Sequence, residues 1–275
     1  MQPTQPTSWY GKDAARFISG VAILLMIAHH FFGFKEYLRP DVNWIPLCKV
    51  AGIEIERYVA AFGKICVSLF AFNSGYVLWT RSADYTLKKR CLRLLNFLIG
   101  YWMVCGLFLL YALAVGDSLP TLQQLMLNLV GLETGPFQNW VNVTFAWYVT
   151  YYIAFILLAP LLLAIFKSRH LWIDIAGWVG IVIFSHLTDK ILPNVLSPLP
   201  IGAFGILAAK WTVFERMNKH LSHLHAVVFA CMIPVIVGLR QGFILIFLNT
   251  PVYLLMGGRI SVCHPIHLLG HNSKE

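Results

Sequence analysis

Two adjacent histidines stand out as candidates for chemistry. His29 and His30 lie near the far end of the apolar run GVAILLMIAHHFFGF. Imidazole is the side chain best suited to take a proton from a hydroxyl group near neutral pH. An ionisable group at membrane depth is costly and marks a functional site by default, which favours a catalytic role. Adjacent helical residues point about 100° apart, so at most one ring can face a given reacting atom. The alternative is a structural pair that hydrogen-bonds to the next helix.

Cationic side chains accompany this pair in two places. Arg16 precedes His30 by fourteen residues, roughly 20 Å along a helix. The segment RSADYTLKKRCLRLL contains Lys89, Arg90 and Arg93, and the two arginines, three residues apart, share a helical face. Guanidinium groups in this arrangement suit phosphate, so a phosphorylated molecule could lie between the basic end and the imidazoles. The alternative is that these cations only fix the orientation of the chain in a membrane.

A second apolar run, GKICVSLFAFNSGYVLW, contains the polar and small residues Asn73, Ser74 and Gly75. Small residues allow helices to pack closely, and polar side chains form hydrogen bonds between them. Packing between helices therefore explains these three residues without any catalytic role.

The remaining histidines and the cysteines do not predict a metal site. Two groups of histidines are close in sequence, namely His220, His223 and His225, and His264, His267 and His271. Neither group has a convincing fourth ligand, and the six cysteines show no paired spacing.

Composition determines which elements must position these residues. Of the 275 residues 58% are hydrophobic and only 12% are charged, a balance that a soluble domain of this length could not cover with polar surface. The net charge of +9 is dispersed between apolar runs, which argues against a nucleic-acid partner and for membrane lipid. We therefore predict an all-α, polytopic transmembrane bundle of about eight helices. The apolar windows lie at 17–34, 58–80, 94–115, 143–166, 171–188, 196–211, 225–240 and 242–258.

The connecting segments predict an orientation and one further element. Placing both termini in the cytoplasm puts 14 of the 21 Lys and Arg residues on the inner side. The amphipathic stretch LPTLQQLMLNLVGLETG has no basic residue and predicts a short interfacial helix or lid on the outer side. Pro198 and Pro200 predict that the sixth helix begins after Pro200 or is broken there.

Taken in order, these motifs resemble the membrane-bound acyltransferase type 3 family, bacterial enzymes that acylate surface polysaccharides. The resemblance rests on GVAILLMIAHHFFGF, GKICVSLFAFNSGYVLW, KKRCLRLL, WYVTYYIAFILLAP and IGAFGILAAKWTVFERM, which span most of the chain. It implies a single domain over 1–275 at the bacterial inner membrane. It also implies transfer of an acetyl or similar acyl group from acyl-coenzyme A, such as acetyl-coenzyme A, to a hydroxyl of a cell-surface or exopolysaccharide glycan.

The resemblance also implies roles for particular residues. His29 or His30 would be the catalytic base, and Arg16, Lys89, Arg90 and Arg93 would bind the donor. The family's basic residue about ten positions before the histidine is replaced here by Ser19. Family members continue past a segment like LLGHNSKE, so we expect this chain to lack one or two helices of the bundle.

Two other functions remain open on the sequence. One is a transporter or flippase of a lipid-linked sugar, with the histidines coupling proton movement. The other is an inactive, truncated relative. No inverted repeat is visible in the sequence, which argues against the transporter.

Overall fold

A computed structural model describes residues 10–33, 45–50, 53–116, 119–132, 146–192 and 195–221. Except for Leu221, these residues belong to one compact unit, Met1–His220. The regular secondary structure of the described part is α-helical apart from one antiparallel pair of two-residue strands and a 3-10 turn. The elements are α1 (Lys12–Gly33), β1 (Lys49–Val50), β2 (Ile53–Glu54), α2 (Ile55–Gly63), α3 (Ile65–Thr80), the turn Ser82–Asp84, α4 (Leu87–Val115), α5 (Leu122–Val130), α6 (Ala146–Ile165), α7 (Leu171–Asp189), α8 (Leu199–Lys210) and α9 (Val213–Leu221).

The helices agree with the predicted all-α membrane bundle. Five helical stretches are long and apolar enough to cross a membrane, and α8 is a shorter apolar helix. The five are Lys12–Gly33, Ile55–Thr80, Leu87–Val115, Trp147–Ile165 and Leu171–Asp189. The windows at 225–240 and 242–258 lie outside the described residues, as do the last residues of the chain. The cytoplasmic placement of the termini stays a prediction.

The second predicted helix is interrupted. α2 and α3 meet at Lys64, so one membrane-crossing stretch is built from two helical pieces. The amphipathic stretch forms the helix α5, and its position on the outer membrane surface stays a prediction. Thr121 and Gln124 form a reciprocal capping box at its start, and Gly131 ends it with a φ of 66°, a left-handed conformation that glycine adopts without steric cost.

The packed core lies among α3, α6 and α8. Tyr151 and Phe155 of α6 and Ala203 and Ile206 of α8 are almost fully buried there. α3 and α8 approach closely because glycines face each other. A Cβ atom added at Gly75 would lie only 1.8 Å from the carbonyl oxygen of Gly202. The small-residue packing expected of Gly75 is therefore confirmed.

The start of α8 corrects the prediction about the prolines. The helix begins at Leu199, so Pro200 lies inside its first turn rather than before it. A proline is tolerated there because first-turn N–H groups have no helical acceptor. A carbonyl oxygen before α8 and one in its first turn accept hydrogen bonds from α7: Ser185 Oγ donates to Leu196 at 2.7 Å, and Trp178 Nε1 to Pro200 at 2.9 Å. Non-helical backbone at membrane depth needs such partners.

Candidate active site

The two histidines lie near the end of α1, and one of them is tied to the next helix. His29 Nδ1 is 2.8 Å from the backbone carbonyl oxygen of Ala60 in α2. A carbonyl oxygen only accepts, so Nδ1 carries the proton in this bond, and the basic nitrogen of the neutral ring is Nε2. The His30 ring centroid lies 5.2 Å from that of His29, and both side chains are partly buried. The pair therefore does not point wholly into lipid.

Glycine at position 63 allows this arrangement. A Cβ atom at Gly63 would lie 2.6 Å from the carbonyl oxygen of Leu25 and 2.8 Å from Cβ of His29. Any larger residue would push α1 away from the junction of α2 and α3. The orientation of His29 thus depends on two local features, the missing side chain at Gly63 and the carbonyl of Ala60.

A cavity of about 630 Å³ runs along the other end of α1, and we call it the α1 cavity. Among the described residues that line it, three are cationic and none is acidic. Its lining consists of Tyr10, Gly11, Lys12, Ala15, Arg16, Ser19, Gly20, Ile23, Asn73, Tyr76, Val77, Thr80 and Arg81. Ile23 precedes His29 by six residues, so the lined region stops about 9 Å of helix rise short of the imidazoles. Neither histidine lines this cavity.

A polar network joins α1 to α3 in the wall of the cavity, around Ser19 and Asn73. Asn73 Nδ2 donates to Ser19 Oγ at 2.9 Å and to the Ala15 carbonyl at 3.2 Å. The Tyr10 hydroxyl donates to Asn73 Oδ1 at 3.1 Å. Burial, with a smaller contribution from Tyr76, raises the pKa of Tyr10 to about 12, so this phenol stays a neutral donor near neutral pH. The interhelical bonding expected of Asn73 is confirmed.

The basic residues in the first two turns of α4 form a second group. Arg93 and Arg90 lie with their guanidinium carbons 5.7 and 6.0 Å from the centre of the Tyr85 ring, which confirms that they share a face. Burial raises the pKa of Tyr85, and the two nearby guanidinium charges partly oppose that rise. Lys89 is exposed in the first turn of α4.

Arg93 and Tyr85 line a cavity of about 160 Å³, which we call the α4 cavity. It shares only Asn73 and Val77 with the lining of the α1 cavity. Arg16 and Arg93 therefore line different cavities in the part of the chain that the structure describes. Arg16 instead shares its cavity with two cations, Lys12 and Arg81, that were not among the residues predicted to bind the donor. Their proximity depends on the packing of α1 against α3, which the sequence does not show.

A buried ion pair was also missed. The Lys210 ammonium at the end of α8 donates to Asp174 of α7 and to the carbonyl oxygens of Phe166 and Ser168. Asp174 is fully buried and also accepts from Trp211 Nε1 at 2.8 Å. Lys210 thereby holds the end of α6, the start of α7 and the end of α8 together, which the sequence did not predict.

The histidines considered as metal ligands cannot be placed. His223 and those after it lie outside the described residues, and the side chain of His220 is not described. In the described ranges, no three His, Cys, Asp or Glu residues are grouped to hold a metal ion.

The helices and their partly buried histidine pair define a multi-pass membrane protein with a candidate catalytic base. Residues 14–270 match the family described as an acyltransferase domain, the acyltransferase 3 family. The match covers most of the chain, which belongs to this family and is an acyltransferase. No curated protein and no solved structure gives a significant match.

Proposed function

We propose that the protein is an O-acyltransferase of a bacterial inner membrane, with acetyl-coenzyme A or a similar thioester as donor. The acceptor is a hydroxyl group of a cell-surface or exopolysaccharide glycan, presented as a glycan or a lipid-linked sugar. The observation that carries the proposal is the hydrogen bond between His29 and Ala60, which orients an imidazole at one end of α1. The cationic α1 cavity at the other end of the helix supports binding of a phosphorylated donor.

The reaction needs one base and no cofactor beyond the donor. An imidazole of the His29–His30 pair takes the proton from the acceptor hydroxyl, whose oxygen then forms a bond with the thioester carbonyl carbon. The carbon–sulfur bond breaks, and the imidazolium returns the proton to the departing thiolate. The bond to Ala60 keeps the proton on Nδ1 of His29, so its Nε2 is the nitrogen that exchanges protons.

The roles within the pair can be separated by single substitutions. If His29 is the base, the variant His29→Ala loses turnover and His30→Ala retains part of it. If His30 is the base, His29 acts as a positioning residue through Ala60, and the order of the two losses is reversed. The rings lie only 5.2 Å apart, so both single variants are expected to slow the reaction.

The decisive experiment uses the double variant His29→Ala with His30→Ala in cells that make the glycan. We expect glycan acetylation, measured by mass spectrometry, to fall to the level of cells without the gene, with unchanged abundance in the membrane. His186→Ala is the matched control, because His186 is exposed on α7 and should be dispensable. Retained acetylation in the double variant would reject the mechanism.

A second experiment distinguishes an acyltransferase from a transporter. Inside-out vesicles are given labelled acetyl-coenzyme A, and only an acyltransferase consumes the label.

A further inference from the structure

The α1 cavity contains two cations, Lys12 and Arg81, that the proposed function uses only as part of the cavity's positive charge. We infer that these two side chains form a subsite for the ribose 3′-phosphate of the coenzyme A donor. The inference rests on the proposed function. It adds a specificity-determining site, because coenzyme A differs from dephospho-coenzyme A only in carrying the 3′-phosphate.

Two of the three cations of the cavity lie on α1, and the third follows the end of α3. Lys12 and Arg16 are four residues apart, so they lie on one face of the helix, separated by about one turn. Arg81 follows the last residue of α3 and lines the cavity together with Thr80. All three cations are exposed, as a site for a donor that arrives from water requires.

The lining of the α1 cavity becomes uncharged toward the histidines. Beyond Arg16 it consists of Ser19, Gly20 and Ile23. An uncharged, narrow pantetheine arm fits that part, with its thioester directed toward the imidazoles. The diphosphate joined to the arm then comes to Arg16, the innermost cation. The ribose, which bears the 3′-phosphate, lies on the side of the diphosphate that faces away from the histidines, where Lys12 and Arg81 lie.

The charge balance favours a phosphate at this position. Arg16 pairs with Asp13 at 3.7 Å, but the Asp13 side chain is 98% exposed and screened by water. The described lining contributes three positive charges and no negative one. A phosphate dianion supplies the opposite charge, and Lys and Arg are its usual protein partners.

The test compares acetyl-coenzyme A with acetyl-dephospho-coenzyme A in membrane vesicles that contain the full chain. The variants are Lys12→Gln and Arg81→Gln, each of which removes one charge and keeps a polar side chain. Lys88→Gln is the matched control, because Lys88 is exposed at the start of α4 and lines neither cavity. Acetyl transfer to the glycan and membrane abundance are measured for every variant.

We expect the unmodified protein to show a lower KM for acetyl-coenzyme A than for the dephosphorylated donor. Each variant should raise the KM for acetyl-coenzyme A about fivefold to tenfold, as for loss of one charge-assisted phosphate contact. The KM for the dephosphorylated donor and both kcat values should stay within about twofold, since distant exposed charges interact weakly.

Two outcomes overturn the inference, and they are distinguishable from failure of the proposed function. If the protein uses acetyl-coenzyme A but does not discriminate between the donors, it has no 3′-phosphate subsite. If it discriminates and both variants keep the ratio of KM values shown by Lys88→Gln, the subsite lies elsewhere. If the unmodified protein consumes neither donor, the proposed function fails, and the inference fails with it.

Discussion

The close crossing of α3 and α8 makes Gly75 the most sensitive to an added methyl group among the glycines that the structure describes. In the variant Gly75→Ala the new Cβ would lie 1.8 Å from the carbonyl oxygen of Gly202. Real Cβ atoms essentially never approach another atom within 3.0 Å, so the two helices would have to separate by at least about 1.2 Å. The obstructing atom belongs to a helix backbone and cannot rotate away.

This displacement determines how much stability the variant loses. Overpacking a well-packed core costs about 1–3 kcal/mol, and the backbone contact places this variant at the upper end. For a protein of this size the loss corresponds to a fall in Tm of roughly 5–10 °C. Activity should also fall, because Asn73, two residues before Gly75, lies in the wall of both cavities.

The assay is thermal unfolding in detergent micelles, with acetyl transfer measured on the same preparations. Gly100→Ala is the matched control, since a Cβ at Gly100 in α4 meets no atom within 4 Å. Alanine is the better helix former there, so the control should keep or slightly raise Tm. Equal Tm values for the two variants would refute the reasoning about the crossing.

Two further predictions concern the histidine and the buried ion pair. Gly63→Ala should move α1 away from α2, disturb the bond made by His29, and lower kcat about tenfold or more with the protein still in the membrane; an unchanged kcat would contradict the positioning of His29. Asp174→Asn should destabilise the protein by about 3–5 kcal/mol, because the buried Lys210 ammonium loses its counter-charge. Adding Lys210→Met should recover most of that loss in Tm, and a double variant no more stable than the single one would show that the charge is not the cause.

The general architecture could be predicted from the sequence because each apolar run is a local signal. The five long stretches and α8 fall on the predicted windows, whereas the break at Lys64 and the helix α9, which no window covers, were not predicted. Local spacing also predicted that Arg90 and Arg93 share a face and that Asn73 bonds to another helix. Such predictions need only the periodicity of a helix and the scarcity of polar groups in an apolar run.

The composition of the cavities could not be predicted, because it depends on which helices become neighbours. Arg16 and Arg93 look equivalent in sequence, yet α3 packs so that they line different cavities. Arg81 joins Arg16 only through the packing of α1 against α3. Lys210 is a similar case, because a cation at a helix end is interpreted as an orientation signal unless its partner carboxylate is known. That carboxylate, Asp174, lies 36 residues away in the sequence.

The bonds of Lys210 also have a consequence for the biogenesis of the protein. Its ammonium donates to three acceptors, which all come from the corner where α6 ends and α7 begins. Until that corner exists, the Lys210 ammonium lacks these three acceptors. The last turn of α8 therefore gains its bonds only when α6 and α7 are already in place, so these contacts form late in the assembly of the bundle.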